Sequence, residues 1–223
     1  MKLSIITPVY NNINYNNYII NSFSSFKDIE LIIIDNASKD ATKDLQSTDN
    51  VKIIRNQENK GFGYACNQGY AQAKSDTILF LNNDIKISDK TMVWLYEYID
   101  FVKDNMLVGP TGGFVDPNSN FDFKYETSDP NKKYNYMSGW FLMGKKSTFD
   151  KLIPENCIGP FDCIKYFAYF EDVHLSFEAR KLGIQFVLKP IPVMHFGKQT
   201  SSKLNISDIY TKSKSTFVKH WKK

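Results

Sequence analysis

Short apolar runs alternate with helix-like segments through the first half of the chain. Four runs rich in Ile, Leu and Val are predicted to be buried strands: Leu3–Thr7, Glu30–Ile34, Val51–Ile54 and Thr77–Leu81. The segments between them are predicted to be helices: Asn16–Phe26, Asp40–Gln46 and Gly63–Ala73. Because strand–helix–strand alternation at this spacing is typical of parallel sheets, we expect an α/β fold with a doubly wound, mostly parallel sheet flanked by helices.

The pattern changes after Gly109. Residues 110–136 are rich in Pro, Gly, Asn, Asp and aromatic residues, which predicts loops with short strands and a small antiparallel portion. The remaining predicted elements are a helix over Ser88–Lys103 capped by Ser88, a strand Met137–Lys145, a helix Asp172–Leu182, a strand Ile184–Leu188 and an amphipathic helix Ser207–Trp221. No repeat or linker divides the chain, so a single domain over residues 1–223 is expected.

Composition excludes several classes of protein. The net charge of +4 is small and the lysines are dispersed, so no nucleic-acid partner is expected. No apolar run approaches the roughly 20 residues that span a bilayer, and no signal peptide is expected before the first strand. The three cysteines lack paired metal spacing. A reducing, cytoplasmic location is therefore expected.

Polar side chains begin at the residue that directly follows the fourth predicted strand. The apolar run Ile78–Leu81 ends in Asn82, Asn83 and Asp84. Sites of parallel α/β sheets form beyond the carboxyl ends of strands. Asp84 offers oxygen ligands to a divalent cation, and the two amides can bind a sugar or a phosphate. The alternative is an Asn/Asp turn that merely closes the strand.

Two further strand ends and one helix start carry comparable groups. They are Pro8, Tyr10 and Asn11 after the first strand, Asp35 and Asn36 after the second, and Lys60 with Asn67 at the start of the third predicted helix. Because parallel strands end at one edge of the sheet, a nucleotide can lie across these residues. Asp35 would then face a base or ribose, and Lys60 or a helix N-terminus would face phosphate.

Glu171 and Asp172 stand at the start of a predicted helix. There the helix dipole favours the ionised carboxylate, which beside a substrate hydroxyl acts as a general base. The alternative is that both acids serve only as helix caps. His195 follows a strand and two prolines, and its imidazole can complete the coordination of a cation held by Asp84. The alternative for His195 is a structural histidine.

The ordered set of motifs resembles family 2 glycosyltransferases of the GT-A fold. The segments that carry the resemblance are LSIITPVYNN, ELIIIDNASKDAT, NKGFGYACNQG, ILFLNND, MSGWFLMGKK and YFEDVHLSFEARKLG, and together they cover most of the chain. The branch that the chain most resembles contains bacterial rhamnosyltransferases of surface-polysaccharide assembly.

The resemblance implies inverting transfer of a sugar from a nucleoside diphosphate donor. Residues 1–109 would be the nucleotide-sugar-binding half, with Pro8, Tyr10 and Asp35 at the nucleoside. Asp84 would hold Mn²⁺ or Mg²⁺ on the diphosphate, and His195 would contact the same ion or the phosphates. The donor would be a UDP- or dTDP-sugar.

Residues 110–223 would form the acceptor-side half with the C-terminal helix. There the resemblance implies Asp172 as catalytic base, Glu171 as its supporting neighbour, and Trp140 in the sugar or acceptor wall. The acceptor would be a hydroxyl of a glycan or a lipid-linked glycan. Phe217, Trp221 and the terminal lysines would permit peripheral contact with a membrane, the alternative being a terminal helix packed on the domain.

Three positions depart from the family pattern. Asn82 replaces the first acid of the metal motif, Asn36 replaces a frequent second acid after strand two, and His174 stands where an acid commonly follows Glu-Asp. Two other functions are compatible with such a sheet. One is a catalytically silent homologue that binds nucleotide sugar or glycan as a subunit. The other is a nucleotidyltransferase, although residues 9–17 lack its glycines and basic residue.

Overall fold

The structure, a computed structural model, describes residues 1–87, 92–197 and 206–222. Its strands are β1 Leu3–Val9, β2 Ile29–Asp35, β3 Val51–Arg55, β4 Thr77–Leu81, β5 Ile85–Ile87, β6 Met106–Gly109, β7 Gly112–Asp116, β8 Asp122–Thr127, β9 Tyr136–Met137, β10 Phe141–Lys145, β11 Gln185–Leu188 and β12 Val193–His195. Its α-helices are α1 Ile13–Phe23, α2 Phe62–Gln72, α3 Val93–Phe101, α4 Lys146–Asp150, α5 Glu171–Lys181 and α6 Ile206–Trp221. Two 3₁₀ turns cover Ala41–Asp44 and Pro117–Ser119.

A seven-stranded sheet forms the centre of the fold, with strand order β11-β6-β10-β4-β1-β2-β3. Its neighbours pair in parallel except around β10, which runs antiparallel to both β4 and β6. A three-stranded antiparallel sheet, β8-β7-β9, and a two-stranded one, β12-β5, lie beside it. The mostly parallel α/β sheet and its small antiparallel portion are confirmed.

Helices cover both faces of the central sheet, which explains the continuous apolar runs. Successive residues of β2 point to opposite faces, so Leu31 and Ile33 enter one core cluster while Ile32 and Ile34 enter the other. The first cluster contains residues of α1 and α3, and the second contains residues of α2, α4 and α5. Every residue of β2 is buried, as expected for a strand covered on both sides.

Two predicted elements were wrong in type or extent. Asp40–Gln46 is not an α-helix but the 3₁₀ turn Ala41–Asp44, because Leu45 turns to extended backbone after one turn and Arg55 of β3 donates to the Thr42 and Leu45 carbonyls. The predicted strand Met137–Lys145 is divided into β9 and β10, because β9 pairs with β7 in the three-stranded sheet while β10 pairs with β4 and β6 in the central sheet. The proposed cap Ser88 lies outside the described residues.

Helix α6 packs against α5 through aromatic side chains. Phe217 is fully buried, with its ring centroid 5.1 Å from that of Phe121 and 5.2 Å from those of Phe170 and Phe177. The Trp221 indole N–H donates to His174 Nδ1 at 3.1 Å. The apolar face of α6 is thus occupied by the domain, which agrees with the packed alternative and does not support membrane contact through these rings. Within the described residues, no helix combines the length and the apolar character needed to cross a membrane.

Candidate active site

A cavity of about 510 Å³ opens at the carboxyl edge of the sheet, where β1 and β4 end side by side. The start of α5, the end of β12 and two isoleucines of α6 complete its walls. Ten of the residues singled out in the sequence line it: Pro8, Tyr10, Asn36, Asn82, Asn83, Asp84, Trp140, Glu171, Asp172 and His195. The structure therefore brings the predicted donor and acceptor groups into one space.

Asp84 and His195 meet across a short pair of strands. Strand β5 follows Asp84 directly and pairs antiparallel with β12, so that Ile85 lies opposite His195. His195 Nε2 is 3.0 Å from Asp84 Oδ1 and 3.4 Å from Asn82 Nδ2. The imidazole stacks on Trp140 with ring centroids 4.6 Å apart and an interplanar angle of 11°. The stacking fixes the ring orientation beside the carboxylate.

The Asp84–His195 pair fits a divalent cation. Two ligands at right angles around an ion, each about 2.1 Å from it, are about 3.0 Å apart. This is the observed separation of Asp84 Oδ1 and His195 Nε2. Mg²⁺ sites use one or two carboxylates together with substrate phosphates, so one acid suffices where a diphosphate supplies oxygens. The donor set is therefore compatible with Mg²⁺ or Mn²⁺ despite Asn82.

Asp172 is held at the cavity wall by backbone donors. Its Oδ2 accepts the Gly139 N–H at 3.0 Å, and its Oδ1 accepts the Val173 N–H at 2.8 Å. Gly139 belongs to the segment that leaves the sheet between β9 and β10, so that departure creates the contact. The neighbouring Glu171 is only 8% exposed, and its Oε2 has no hydrogen-bond partner among the described residues.

The backbone before these acids has an uncommon conformation. Tyr169 and Phe170 both have φ of 65°, in the left-handed region that costs non-glycine residues about 1–3 kcal/mol each. The Phe170 ring contacts Phe217 of α6, which holds the turn in place. The packing of α6 thus supports the position of Glu171 and Asp172.

Burial raises the pKa of both acids. It raises the pKa of Glu171 to about 8, with a further contribution from the adjacent Asp172 carboxylate. It raises the pKa of Asp172 to about 6, against the opposing effect of the Gly139 and Val173 N–H donors. Desolvation therefore opposes the effect of the helix N-terminus, and both carboxyl groups are protonated more readily than the position at a helix start alone predicts.

This arrangement predicts the pH dependence of activity. A general base is active only when it is ionised. Raising the pKa of Asp172 from 3.8 to about 6 therefore shifts the acidic limb of the profile of kcat/KM against pH to higher pH. We expect the rate at pH 5 to be about one tenth of the plateau. A rate profile between pH 4.5 and 8, with stability checked at each pH, measures this. A plateau that extends down to pH 5 would contradict it.

Glu126 is a cavity residue that the sequence reasoning missed. It lies on β8, accepts the Ser138 hydroxyl at 2.8 Å, and faces both the main cavity and a second cavity of about 420 Å³. Trp140 and His195 also border both cavities. No motif marks Glu126, since it is an isolated acid in an irregular segment. Phe167 and Tyr169 were also missed, although they lie within four residues of Glu171 in the sequence.

Asp35, Asn11 and Lys60 do not line the cavity. Asp35 is 1% exposed; its Oδ1 accepts the Ser38 N–H at 2.9 Å, and its Oδ2 lies 3.7 Å from Arg55 Nε. The Asn11 side chain accepts the N–H of Lys39. Lys60 pairs at the surface with Glu58. In this arrangement Asp35 and Asn11 stabilise the loops beside the cavity, while the Lys60 ammonium group pairs with Glu58 and not with a cavity residue.

Asn36 lines the cavity while its amide supports the neighbouring loop. Its Nδ2 donates to the Gly61 carbonyl at 3.1 Å, and its Oδ1 accepts from Asn56 at 2.8 Å. The Asn83 side chain is also hydrogen-bonded within the protein, since its Nδ2 donates to Asn16 Oδ1 at 2.6 Å. Both amides therefore fix the edges of the cavity.

The placement of Asn67 contradicts a donor-binding role. Its side chain is fully buried, Nδ2 donates to the Phe161 carbonyl at 2.7 Å, and Oδ1 accepts the Phe161 N–H at 3.0 Å. Both the NH₂ group and the carbonyl oxygen of the Asn67 side chain therefore bind the loop before α5 to helix α2. We reassign Asn67 from donor binding to the structure of this loop.

Replacing Asn67 by Ala should therefore reduce stability. It leaves the buried Phe161 N–H without its partner and removes one of the two donors to the Phe161 carbonyl, which still accepts the Cys163 N–H; the loss costs about 1–3 kcal/mol. We expect Tm to fall by about 2–10 °C. Thermal unfolding measures this, with Asn56→Ala, a partly buried amide, as a comparison. Unchanged stability with weakened nucleotide binding would restore the donor-binding assignment.

Comparison with known proteins places the chain in a family. Solved structures share its GT-A fold. The sequence profile named Glycosyl transferase family 2 matches residues 4–174. The chain belongs to glycosyl transferase family 2.

Curated relatives agree with this assignment. Glycosyltransferase GlyA of Streptococcus pneumoniae is 25% identical over 177 residues, covering 68% of this chain and 25% of that protein. An uncharacterised glycosyltransferase of Haemophilus influenzae is 33% identical over 120 residues, covering 51% of this chain and 47% of that protein. The chain therefore spans between a quarter and a half of the length of these relatives.

Solved structures agree on the fold. S. aureus TarS 1-349 in complex with UDP-GlcNAc has a TM-score of 0.59 at 22% identity, covering 92% of this chain and 62% of that one. GalNAc-T7 with UDP, GalNAc and Mn²⁺ has a TM-score of 0.63 at 15% identity, covering 86% of this chain and 43% of that one. Mannosyltransferase PcManGT from Pyrobaculum calidifontis, with GDP-Man and Mn²⁺, has a TM-score of 0.58 at 14% identity, covering 85% of this chain and 55% of that one.

Proposed function

We propose that the protein is an inverting glycosyltransferase that moves a sugar from a nucleoside diphosphate donor to an acceptor hydroxyl. The observation that carries the proposal is that one cavity holds both the Asp84–His195 pair and the buried Glu171–Asp172 pair. The first pair suits a diphosphate with its cation, and the second suits proton transfer from a hydroxyl. Membership of the family supports the same reaction class.

The donor lies along the carboxyl edge of β1 and β4 in this proposal. Pro8 and Tyr10 contact the nucleoside, next to Asn36, while Asp35 acts by shaping the adjoining loop. Asn82 and Asn83 precede Asp84 and line the cavity; Asn82 offers its amide to the sugar or the diphosphate, while Asn83, whose Nδ2 donates to Asn16, offers its amide oxygen.

A divalent cation, Mn²⁺ or Mg²⁺, would be held by Asp84 and His195. When bound, it supplies Lewis-acid stabilisation of the charge that develops on the leaving diphosphate. Two of the solved structures of similar fold were solved with both Mn²⁺ and a nucleotide or nucleotide sugar, which is consistent with such use.

The acceptor hydroxyl approaches from the side of Asp172. Its oxygen forms a bond to the anomeric carbon while its proton moves to an Asp172 carboxylate oxygen, and the bond from that carbon to the diphosphate oxygen breaks. A single displacement of this kind inverts the anomeric configuration. Burial and the adjacent Asp172 carboxylate raise the pKa of Glu171, which disfavours a second negative charge beside Asp172. Trp140 forms part of the wall that contacts the sugar or the acceptor.

UDP- and dTDP-sugars are the proposed donors, and a glycan or lipid-linked glycan in surface-polysaccharide assembly is the proposed acceptor. TarS was solved with UDP-GlcNAc, which favours UDP, whereas the resemblance to the rhamnosyltransferase branch favours dTDP.

A turnover assay tests the proposal. Purified protein with Mn²⁺ is incubated with UDP-, dTDP- and GDP-sugars, and the release of nucleoside diphosphate is followed with and without glycan acceptors. We expect release from one nucleotide class that is stimulated by an acceptor, with product of inverted configuration by NMR. Binding of a nucleotide sugar without any release would instead support the silent homologue.

A further inference from the structure

Two of the three histidines in the chain meet where α5 packs against α6, and neither lines the cavity that holds the Asp84–His195 pair. His174 of α5 and His220 of α6 are 46 positions apart in sequence, yet their ring centroids are 5.1 Å apart. Glu178 lies one helical turn after His174 and therefore on the same face of α5. The proposed transfer reaction uses none of these three side chains.

The geometry of the three side chains suits metal coordination. His220 Nε2 is 3.6 Å from Glu178 Oε1, and one ligand atom from each residue lies within 4.8 Å of the other two. Tetrahedral ligands about 2.0–2.1 Å from Zn²⁺ are about 3.3 Å apart, so small side-chain rotations close the set. Burial lowers the pKa of His174 to about 4, which leaves the imidazole neutral, as a metal ligand must be.

We infer that His174, Glu178 and His220 form a second cation site, selective for zinc-like ions, that fastens α6 to α5. A ligand set of two imidazoles and one carboxylate binds Zn²⁺ in preference to Mg²⁺, because imidazole nitrogen suits zinc and Mg²⁺ prefers oxygen ligands. His174 is 4% exposed, while the side chains of Glu178 and His220 are each 34% exposed. The site is therefore anchored in the interior and reachable from solvent.

Binding replaces existing contacts of similar kind. His174 Nδ1 accepts the Trp221 indole N–H at 3.1 Å and lies 3.4 Å from the Tyr166 hydroxyl, while His174 Nε2 lies 3.6 Å from Asp162 Oδ2. Glu178 accepts from Lys181 Nζ at 3.2 and 3.4 Å. The cation takes the place of Lys181 on the Glu178 carboxylate and of the partners of one ring nitrogen of His174.

The consequence of the site reaches the active-site cavity. Ile206 and Ile209 of α6 line that cavity, and Phe217 supports the turn before Glu171. A cation that joins the far end of α6 to α5 therefore stabilises the helix that closes one wall. The site does not depend on the nature of the transferred sugar or on the transfer reaction itself.

Zinc binding to metal-free protein tests the inference. The His195→Gln protein serves as background, because it removes the imidazole at the other candidate cation site. After equilibrium dialysis with Zn²⁺ we expect one zinc per chain, and a Tm increase of about 5–10 °C at about 100 times Kd. Adding Glu178→Gln and His220→Gln should weaken zinc binding by at least about 100-fold, since even outer-shell partners contribute about 10- to 100-fold.

Controls distinguish this site from other zinc ligands. The thiols of Cys157 and Cys163 are 3.8 Å apart and are the natural competitors for zinc. Cys157→Ser should leave zinc binding and the Tm increase unchanged. Glu178→Gln alone, at a partly exposed position, tests the site if the double replacement fails to fold. Zinc binding that survives loss of Glu178 and His220, or that is lost with Cys157, would overturn the inference, as would the absence of bound zinc in the background protein.

Discussion

Replacing Asp172 by Asn should reduce kcat by about 10²- to 10⁴-fold while the affinity for the nucleotide donor stays within about twofold. The amide can still accept the Gly139 N–H, so the turn before α5 should be retained. It cannot take the proton of an acceptor hydroxyl, however, and this step occurs only in the transition state. Steady-state kinetics with donor binding by calorimetry measures the two effects separately.

Asp100→Asn is a matched control, since it makes the same chemical change at an exposed position of α3. It should leave both kcat and donor affinity unchanged. An Asp172→Asn protein that loses donor affinity and kcat to the same extent would assign Asp172 to the donor site instead. A comparison of the Tm values excludes loss of fold as the cause.

Replacing Asp84 by Ala should abolish the stimulation of donor binding by Mn²⁺ or Mg²⁺ and lower the transfer rate by about 10²- to 10³-fold. The estimate corresponds to loss of several kcal/mol of charge stabilisation on the leaving diphosphate. Asp84 is the only acid within the Asn82–Asp84 segment, so no neighbouring carboxylate in this segment can replace it. Titration of the metal ion at fixed donor concentration measures the effect.

Asn82→Asp provides the opposite change at the same strand end. It adds a carboxylate beside His195 Nε2, from which Asn82 Nδ2 is 3.4 Å away, and should lower the metal concentration needed for half-maximal activity. If Asp84→Ala retains metal-stimulated donor binding, the cation is held elsewhere and the assignment of Asp84 is wrong.

The fold could be predicted further than the site because its signals are local. The buried runs of β1, β2 and β4 are continuous, and each is covered on both faces, so they are visible in the sequence. The segment after Asp40 was misassigned because its first turn has a normal N-cap in Asp40, while the contact that ends it comes from Arg55 of β3, which donates to the Thr42 and Leu45 carbonyls and is not visible in the local sequence.

The site depends on contacts between residues distant in sequence, and these differ in how far the sequence reveals them. Asp84 and His195 are 111 positions apart and meet through strands of three residues, which carry no periodic signal. The residues alone left His195 as either a ligand of the cation on Asp84 or a structural histidine, and the resemblance to the family favoured the first. Asn67 was misassigned because a polar side chain near a loop suggests a ligand, while its partner Phe161 is 94 positions away.

The pKa values of the acids at the start of α5 illustrate the same limit. Their position at a helix N-terminus is visible in the sequence and predicts ionised carboxylates. The burial that raises both pKa values cannot be inferred from the residues around position 171. It arises when segments distant in sequence pack at the start of α5, where Gly139 contacts Asp172 and Phe217 contacts Phe170.

Nucleotide binding is the most direct test of the central claim that the cavity is a nucleotide-sugar site. Thermal unfolding is measured with UDP, dTDP, GDP and ADP, each with and without Mn²⁺ or Mg²⁺. A nucleotide at about 100 times its Kd adds about 2.7 kcal/mol, which is about 5–10 °C in Tm for a domain of this size. We expect such an increase with UDP or dTDP, dependent on the metal ion and absent in Asp84→Ala. No increase with any nucleotide, in protein that unfolds cooperatively, would contradict the claim.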